Sequence, residues 1–357
     1  MFDYSKYCEE RDNLIAQQNK AYEECIKFGK TLLFKTAIKV IEEKVQYIKA
    51  NRHVCENVIR ELNCKIDLDF VKQSEFIENN HCVYPKSIYD ESCKILVAEP
   101  SFCADVPLEH DAKEAFMQQH RNNYKNSSLV IMSKDNVFVC PYPKHLGTLA
   151  YALRAARHYK DAKEANDFEE MQKNELSIDF ISSIHKKMYE DTEFDNDYII
   201  GYGSPRKTFY YNGDWLHSNV KLETANWTPT DSDYVEDMLQ NLITLIDHPD
   251  EKYGEVHPVL KAMFFKTRYI QIHPFRDCNG RTSRILLNYI LTRNGYPTIT
   301  IKAKHKERYI EAMNKAIDFN DYSNLFTLMV DRLNSRCDKY IEIINEYSTN
   351  PMCETEI

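Results

Sequence analysis

Apolar residues recur along most of this chain at spacings of three and four, the period of a helix with one buried face. Over residues 5 to 66, two stripes predict two long helices: Leu14, Ala21, Cys25 and Phe28, then Leu32, Leu33, Ala37, Val40, Ile41, Val45 and Ile48. A third helix is predicted from about Asp67 to Asn79. The pattern then lapses to about residue 145, except for 128–133 and 136–140, which predict a short hairpin turning at Lys134-Asp135. From Leu146 the helical period returns and predicts helices at 146–162, 177–190, 233–247, 257–271, 281–294, 305–317 and 321–346. One element breaks the run: between Arg206 and Trp215, aromatic residues flank Asn212-Gly213, a strong short-range hairpin signal. The expectation is a mainly α chain with an N-terminal helical region (1–66), a helix followed by an irregular insertion (67–145), a helical domain with one hairpin (146–346) and a short tail (347–357).

Composition changes this picture little. The chain has 357 residues, 28% charged and 43% apolar, ordinary proportions for a water-soluble fold. With only 8 Gly and 12 Pro, long flexible linkers are not expected. A net charge of −9 argues against nucleic acid as the main partner, because phosphate backbones call for a basic face. No apolar run approaches the roughly 18 residues of a membrane span, and the start lacks the order of a secretory signal. The 11 cysteines are odd in number and form no Cys-x-x-Cys pair, which predicts free thiols in a reducing compartment, the cytoplasm. His185, His257 and His305 fall on helical patterns and are expected to pack or face solvent, with His257-Pro258 as a helix start.

The chemistry concentrates in the run His273-Pro274-Phe275-Arg276-Asp277-Cys278-Asn279-Gly280-Arg281-Thr282-Ser283-Arg284, set between two apolar helical segments. Pro274 forces a turn after His273. Asn279-Gly280 suits positive φ and a nest of inward N–H groups. A helix starting near Arg281 offers free amides to an anion. Arg281 and Arg284 lie three apart on its first turn, where two cations oppose the helix dipole unless an anion sits between them. Asp277 supplies a hard oxygen suited to Mg²⁺ on a phosphate. His273 alone in the loop can accept a proton near neutral pH. Taken singly, each residue fits an ordinary corner between helices; the set in this order points to polyphosphate chemistry.

This run resembles the signature of the Fic family, His-Pro-Phe-x-(Asp/Glu)-Gly-Asn-Gly-Arg-x-x-Arg, departing from it where Cys278 replaces Gly or Ala. The resemblance extends over about 175–330 and implies a Fic-type helical bundle whose hairpin is a target-docking flap (Arg206, Lys207, Thr208, Phe209, Tyr210, Tyr211). It also implies a nucleotidyltransferase, a protein adenylyltransferase moving AMP from ATP to a Ser, Thr or Tyr hydroxyl of a target protein, itself included, with release of diphosphate. On that resemblance His273 is the base, Asp277 holds Mg²⁺, and Asn279, Gly280, Arg281 and Arg284 bind the phosphates. Gly280 favours nucleotidyl transfer over the phosphorylation seen where the family has Lys. Cys278, with its Cβ, resists positive φ and could narrow the nucleotide pocket.

Many Fic proteins carry an inhibitory helix, (Ser/Thr)-x-x-x-Glu-(Gly/Asn), and Ser74-Glu75-Phe76-Ile77-Glu78-Asn79 matches it. The resemblance implies that Glu78 pairs with Arg284, with Ser74 and Asn79 completing the motif. Two other functions remain open on the same fold: removal of AMP, with Glu78 positioning a water, and a degenerate module that only binds nucleotide or protein. Target, acceptor residue and oligomeric state are not legible.

Overall fold

The computed structural model describes residues 4–78, 129–132, 137–140, 142–188, 204–207, 209–211, 214–216, 219–222, 225 and 227–349. Asn79, Thr208 and the turns at Lys134-Asp135 and Asn212-Gly213 lie outside them. The elements in chain order are α1 (Tyr4–Gly29), α2 (Leu32–Asn51), α3 (Glu56–Glu78), β1 (Leu129–Met132), β2 (Val137–Cys140), α4 (Tyr142–Ala165), α5 (Phe168–Lys173) and α6 (Ile178–Lys187). They continue with β3 (Phe209–Tyr211), β4 (Asp214–Leu216), α7 (Val235–Asp247), α8 (Pro258–Ile272), α9 (Asn279–Thr292), α10 (Lys306–Asp318) and α11 (Ser323–Thr349). The fold is mainly helical, as the periodicity predicts. Both hairpins are antiparallel, pairing Leu129 with Cys140 and Phe209 with Leu216 at their open ends.

Helix starts follow local capping chemistry. The hydroxyl of Thr31 accepts from the Phe34 amide at 3.3 Å, and that of Ser177 from the Phe180 amide at 3.1 Å. His257 caps α8 by accepting from the Val259 amide at 3.2 Å, with Pro258 pre-set at the first helical position. The expected start at His257-Pro258 is therefore met.

Three expectations are corrected. The third N-terminal helix begins at Glu56, not near 67, because Ile59, Leu62, Ile66, Phe70 and Ile77 make one continuous buried stripe. On α2 the buried residues are Phe34, Ile38 and Ile41, while Leu32, Leu33 and Val40 are exposed; a stripe drawn from apolar residues alone was rotated from the face that α11 and the core cover. Cys8, Cys25, Cys55 and Cys337 are free thiols, but Cys64 is disulfide-bonded. Sequence spacing says nothing of the approach of about 5.5–6 Å between Cα atoms that such a bond needs.

α8 and α9 form the centre. Every residue of α9 from Thr282 to Leu291 is buried, so that helix is enclosed on all sides. Tyr22 of α1 is fully buried against Phe264 of α8, ring centroids 4.8 Å apart, which joins the N-terminal helices to the same core. At the far end of α9, Arg293 holds Asp247 with two nitrogens in a buried pair, fixing α9 to α7. No helix among the described residues is long and apolar enough to cross a membrane.

Candidate active site

Between the two central helices the chain makes a tight corner whose backbone is strained at two points. His273 closes α8 in the left-handed region (φ 53°, ψ 59°), where the following Pro274 disfavours helix. Cys278, the residue before α9, is also left-handed (φ 64°). Gly280 is not, and the expected positive φ at Asn279-Gly280 is corrected: those residues are already the first turn of α9. Each non-glycine residue in this region costs on the order of 1–2 kcal/mol, so surrounding contacts must hold it there.

Those contacts are backbone-directed and buried. The Asn279 carboxamide accepts from the Phe275 amide at 2.9 Å and donates to the Phe275 carbonyl at 2.7 Å, folding the loop on itself. His185 of α6 stacks on Phe275 with centroids 3.8 Å apart, and its Nε2 lies 3.1 Å from the Asp277 carbonyl. His185 thus packs, as expected, but against the loop itself. The strongest clamp is Arg206, which the sequence assigned to a target-docking flap. The structure corrects that role: the side chain is 4% exposed and donates to the carbonyls of His273 (2.8 Å), Thr230 (2.8 Å) and Ile272 (3.0 Å). Its own amide donates to Pro274 at 2.6 Å. Arg206 therefore caps α8 and holds the His273–Pro274 peptide, too deep to meet a target. Lys207 beside it is exposed, and Phe209, Tyr210 and Tyr211 form β3.

The His273 ring is partly buried at this corner. Burial, then the positive charge of Arg206, push its pKa down to about 4, so the ring is neutral near pH 7. Its Nδ1 is buried without a hydrogen-bond partner among the described residues. Asp277 spends Oδ1 on the Cys278 amide at 2.6 Å, while its side chain stays 74% exposed and faces Arg281 with Oδ2 at 3.6 Å. The Cys278 side chain is buried in the hydrophobic core rather than open to the loop's outer side.

The predicted anion is present, and it is part of the chain. From the last turn of α3, Glu78 meets Arg284 Nη2 at 2.7 Å. Ser74 accepts from Arg284 Nε at 2.8 Å through its hydroxyl and from Nη2 at 3.0 Å through its carbonyl. Glu78 presses so closely on α9 that a Cβ at Gly280 would stand 2.0 Å from Oε1. Glycine there lets Glu78 approach closely, and a side chain at 280 would displace the Glu78 carboxylate. Burial raises the Glu78 carboxyl pKa, but the charge and hydrogen bond of Arg284, then Arg281, outweigh it and hold the carboxylate ionised. The motif pattern located this contact; the Asn79 part of the motif falls outside the described residues.

Three participants gave no signal in the sequence. Glu75, 5% exposed, stands 3.6 Å from Arg281 Nη1 and accepts from His145 Nδ1 at 2.7 Å. Burial raises the Glu75 pKa, while His145 and the two guanidinium groups bring it below the ordinary range; burial lowers that of His145. Lys266 of α8 is fully buried beneath Arg284, donating to the Ser283 hydroxyl at 3.2 Å, and burial lowers its pKa well below the ordinary value. Glu75 and His145 are 70 residues apart and Lys266 lies in an apolar helix, so only the fold brings them to the loop.

A helix start with two arginines, a carboxylate seated on one of them and a neutral histidine on the same loop make up the candidate site. The Fic/DOC family model matches residues 175–291, and the chain carries a Fic/DOC-family domain. It is 24% identical over 177 residues to protein adenylyltransferase fic-1 of Caenorhabditis elegans, covering 50% of this chain and 31% of that protein. Against protein adenylyltransferase Fic of Culex quinquefasciatus it is 34% identical over 93 residues, 26% of this chain and 18% of the relative. The chain thus spans less than a third of the length of these relatives. In fold it resembles a Fic-domain-containing signaling protein from Bacteroides thetaiotaomicron (TM-score 0.55, 17% identity, 87% of this chain and 97% of that one). A fragment of Fic-1 from C. elegans is similar (TM-score 0.52, 15% identity, 86% and 72%).

Proposed function

We propose that this chain is a protein adenylyltransferase, transferring AMP from ATP to a hydroxyl of a protein and restrained by its own Glu78. The observation that carries the reading is the Glu78 carboxylate seated over Gly280 and on Arg284, which marks an anion site on the same loop as a neutral His273. The relatives named protein adenylyltransferase support the choice of reaction.

In the proposed reaction a Ser, Thr or Tyr oxygen of the target attacks the α-phosphorus of ATP. That O–P bond forms as the bond to the oxygen bridging toward the β-phosphorus breaks, and diphosphate leaves with the electron pair. The hydroxyl proton passes to the His273 ring. Amides at the start of α9, with Arg281, stabilise the charge developing on the phosphates, and Arg284, released by Glu78, takes the terminal one. The residues fit Mg²⁺ as a partner of ATP. Asp277 offers one exposed carboxylate, the hard oxygen ligand that Mg²⁺ on a phosphate takes from a protein. Mg²⁺ held by Asp277 would neutralise phosphate charge. The hairpin β3–β4 would align a target segment by strand addition, a role that falls to its backbone now that Arg206 is buried.

The test incubates wild type, Glu78→Gly and His273→Ala with α-³²P-ATP and Mg²⁺. Label on protein is expected to rise in Glu78→Gly and to fall about 10²-fold or more in His273→Ala, the usual contribution of a general base. ATP binding with no label in any variant would overturn transfer in favour of a binding module.

A further inference from the structure

Arg281 and Arg284 stand one turn apart on α9, and α3 presents a carboxylate to each. Glu78 meets Arg284 at 2.7 Å, and Glu75, one turn earlier on α3, stands 3.6 Å from Arg281. The inhibitory pattern leaves the position of Glu75 unspecified, so this second contact belongs to the present chain and not to the motif.

A carboxylate that is 5% exposed is costly unless its charge is compensated. His145 of α4, itself 1% exposed, gives Glu75 a hydrogen bond at 2.7 Å, and burial lowers the His145 pKa while Glu75 raises it. The guanidinium nearest the carboxylate is that of Arg281, with Arg284 behind it. At 3.6 Å Glu75 and Arg281 make no direct hydrogen bond; the attraction is coulombic and poorly screened at this depth. A phosphate reaching Arg281 would therefore find that cation already compensated, with a fixed negative charge behind it. Asp277, a further carboxylate near Arg281, is exposed. Glu75 is pinned by His145 and leaves only if α3 moves.

We propose that Glu75, held by His145, is a second internal competitor for the polyphosphate, so that α3 closes the site with two carboxylates, one per arginine. The inference rests on ATP being the ligand, as proposed above. Its consequence is that Glu78→Gly opens only half of the lock: Arg284 is released while Arg281 stays compensated. Full affinity for the phosphates requires loss of both charges.

The experiment measures MgATP and adenosine binding by calorimetry in wild type, Glu78→Gly, Glu75→Gln and the double variant. The double variant is expected to bind MgATP about fivefold or more tighter than Glu78→Gly, because a like charge beside the phosphates is removed. Adenosine affinity should not change between those two, since it carries no phosphate for Arg281 to meet. Equal MgATP affinity in the two variants would overturn the proposal. So would parallel tightening of adenosine, which would mean that α3 had merely loosened. Should Glu75→Gln not fold, Arg281→Met in the Glu78→Gly background reports on the pair from the other side. Stranding the buried Glu75 charge should lower Tm by several degrees, and an unchanged Tm would reject the pairing. Binding is read without any transfer step, so a failure of AMP transfer leaves this test intact.

Discussion

The loop 273–284 and the end of α3 face each other across one small space, but they are held by different means. The loop is fixed through its backbone: Arg206 on three carbonyls, Asn279 on both polar groups of Phe275, and His185 against Asp277 and the Phe275 ring. Glu78 is the last described residue of α3, is about one-third exposed, and reaches the site with its side chain. The difference separates a floor that must not move from a plug that can. Strain at His273 and Cys278 is tolerable because many buried bonds determine those peptides together. On the proposed function, the plug needs only enough affinity for Arg284 to compete with a nucleotide.

Breaking the floor should therefore cost far more than pulling the plug. Arg206→Met leaves three buried carbonyls without their donor and should lower unfolding free energy by about 2–3 kcal/mol, with a large loss of transfer rate. Glu78→Gly removes a partly exposed ion pair, and chemical denaturation should show a change of about 1 kcal/mol or less. Equal losses in the two variants would erase the distinction.

Acid sharpens the same contrast. His185 and His273 are both held near pKa 4, chiefly by burial, below the ordinary value of 6.5. As pH falls, the unfolded chain takes up these protons first. The histidine contribution should be full above pH 6.5, decline between 6.5 and about 4, and be gone below, where the depressed carboxylates Glu75 and Glu78 continue the loss of stability. The transfer rate should keep its base over that same window, so a rate that falls with an apparent pKa near 6.5 would contradict a buried neutral His273. The smallest effect is expected from Cys278→Gly. Relief of the left-handed backbone is offset by a lost buried thiol and a more flexible unfolded chain, so denaturant midpoints should differ by no more than about 0.5 kcal/mol. A destabilisation of 2 kcal/mol or more, by that same balance of roughly 1 kcal/mol effects, would mean that the thiol packs for more than its volume.

The helices of the domain were legible because their apolar spacing, caps and Pro258 are local matters. The loop was legible because its residue types occur together over twelve positions. Where expectation failed, a partner distant in sequence decided the outcome. Leu32 and Leu33 look like core residues until α11 covers the other side of α2. Arg206 reads as a surface cation beside aromatics until Thr230, Ile272 and His273 turn their carbonyls onto it. Gly280 reads as a turn glycine until Glu78 arrives over it from 202 positions upstream (280 − 78).

Helix content, the corner after His273, the anion site at the start of α9 and the motif that supplies Glu78 were determined by the sequence alone, because each depends on residues within one or two helical turns. Which face of α2 is buried, that Arg206 clamps instead of docks, that Lys266 lies beneath Arg284, and that Glu75 and His145 stand behind Arg281 were decided by tertiary structure. The physical reason is that burial and ion pairing depend on distances through space, and a chain reports only distances along itself.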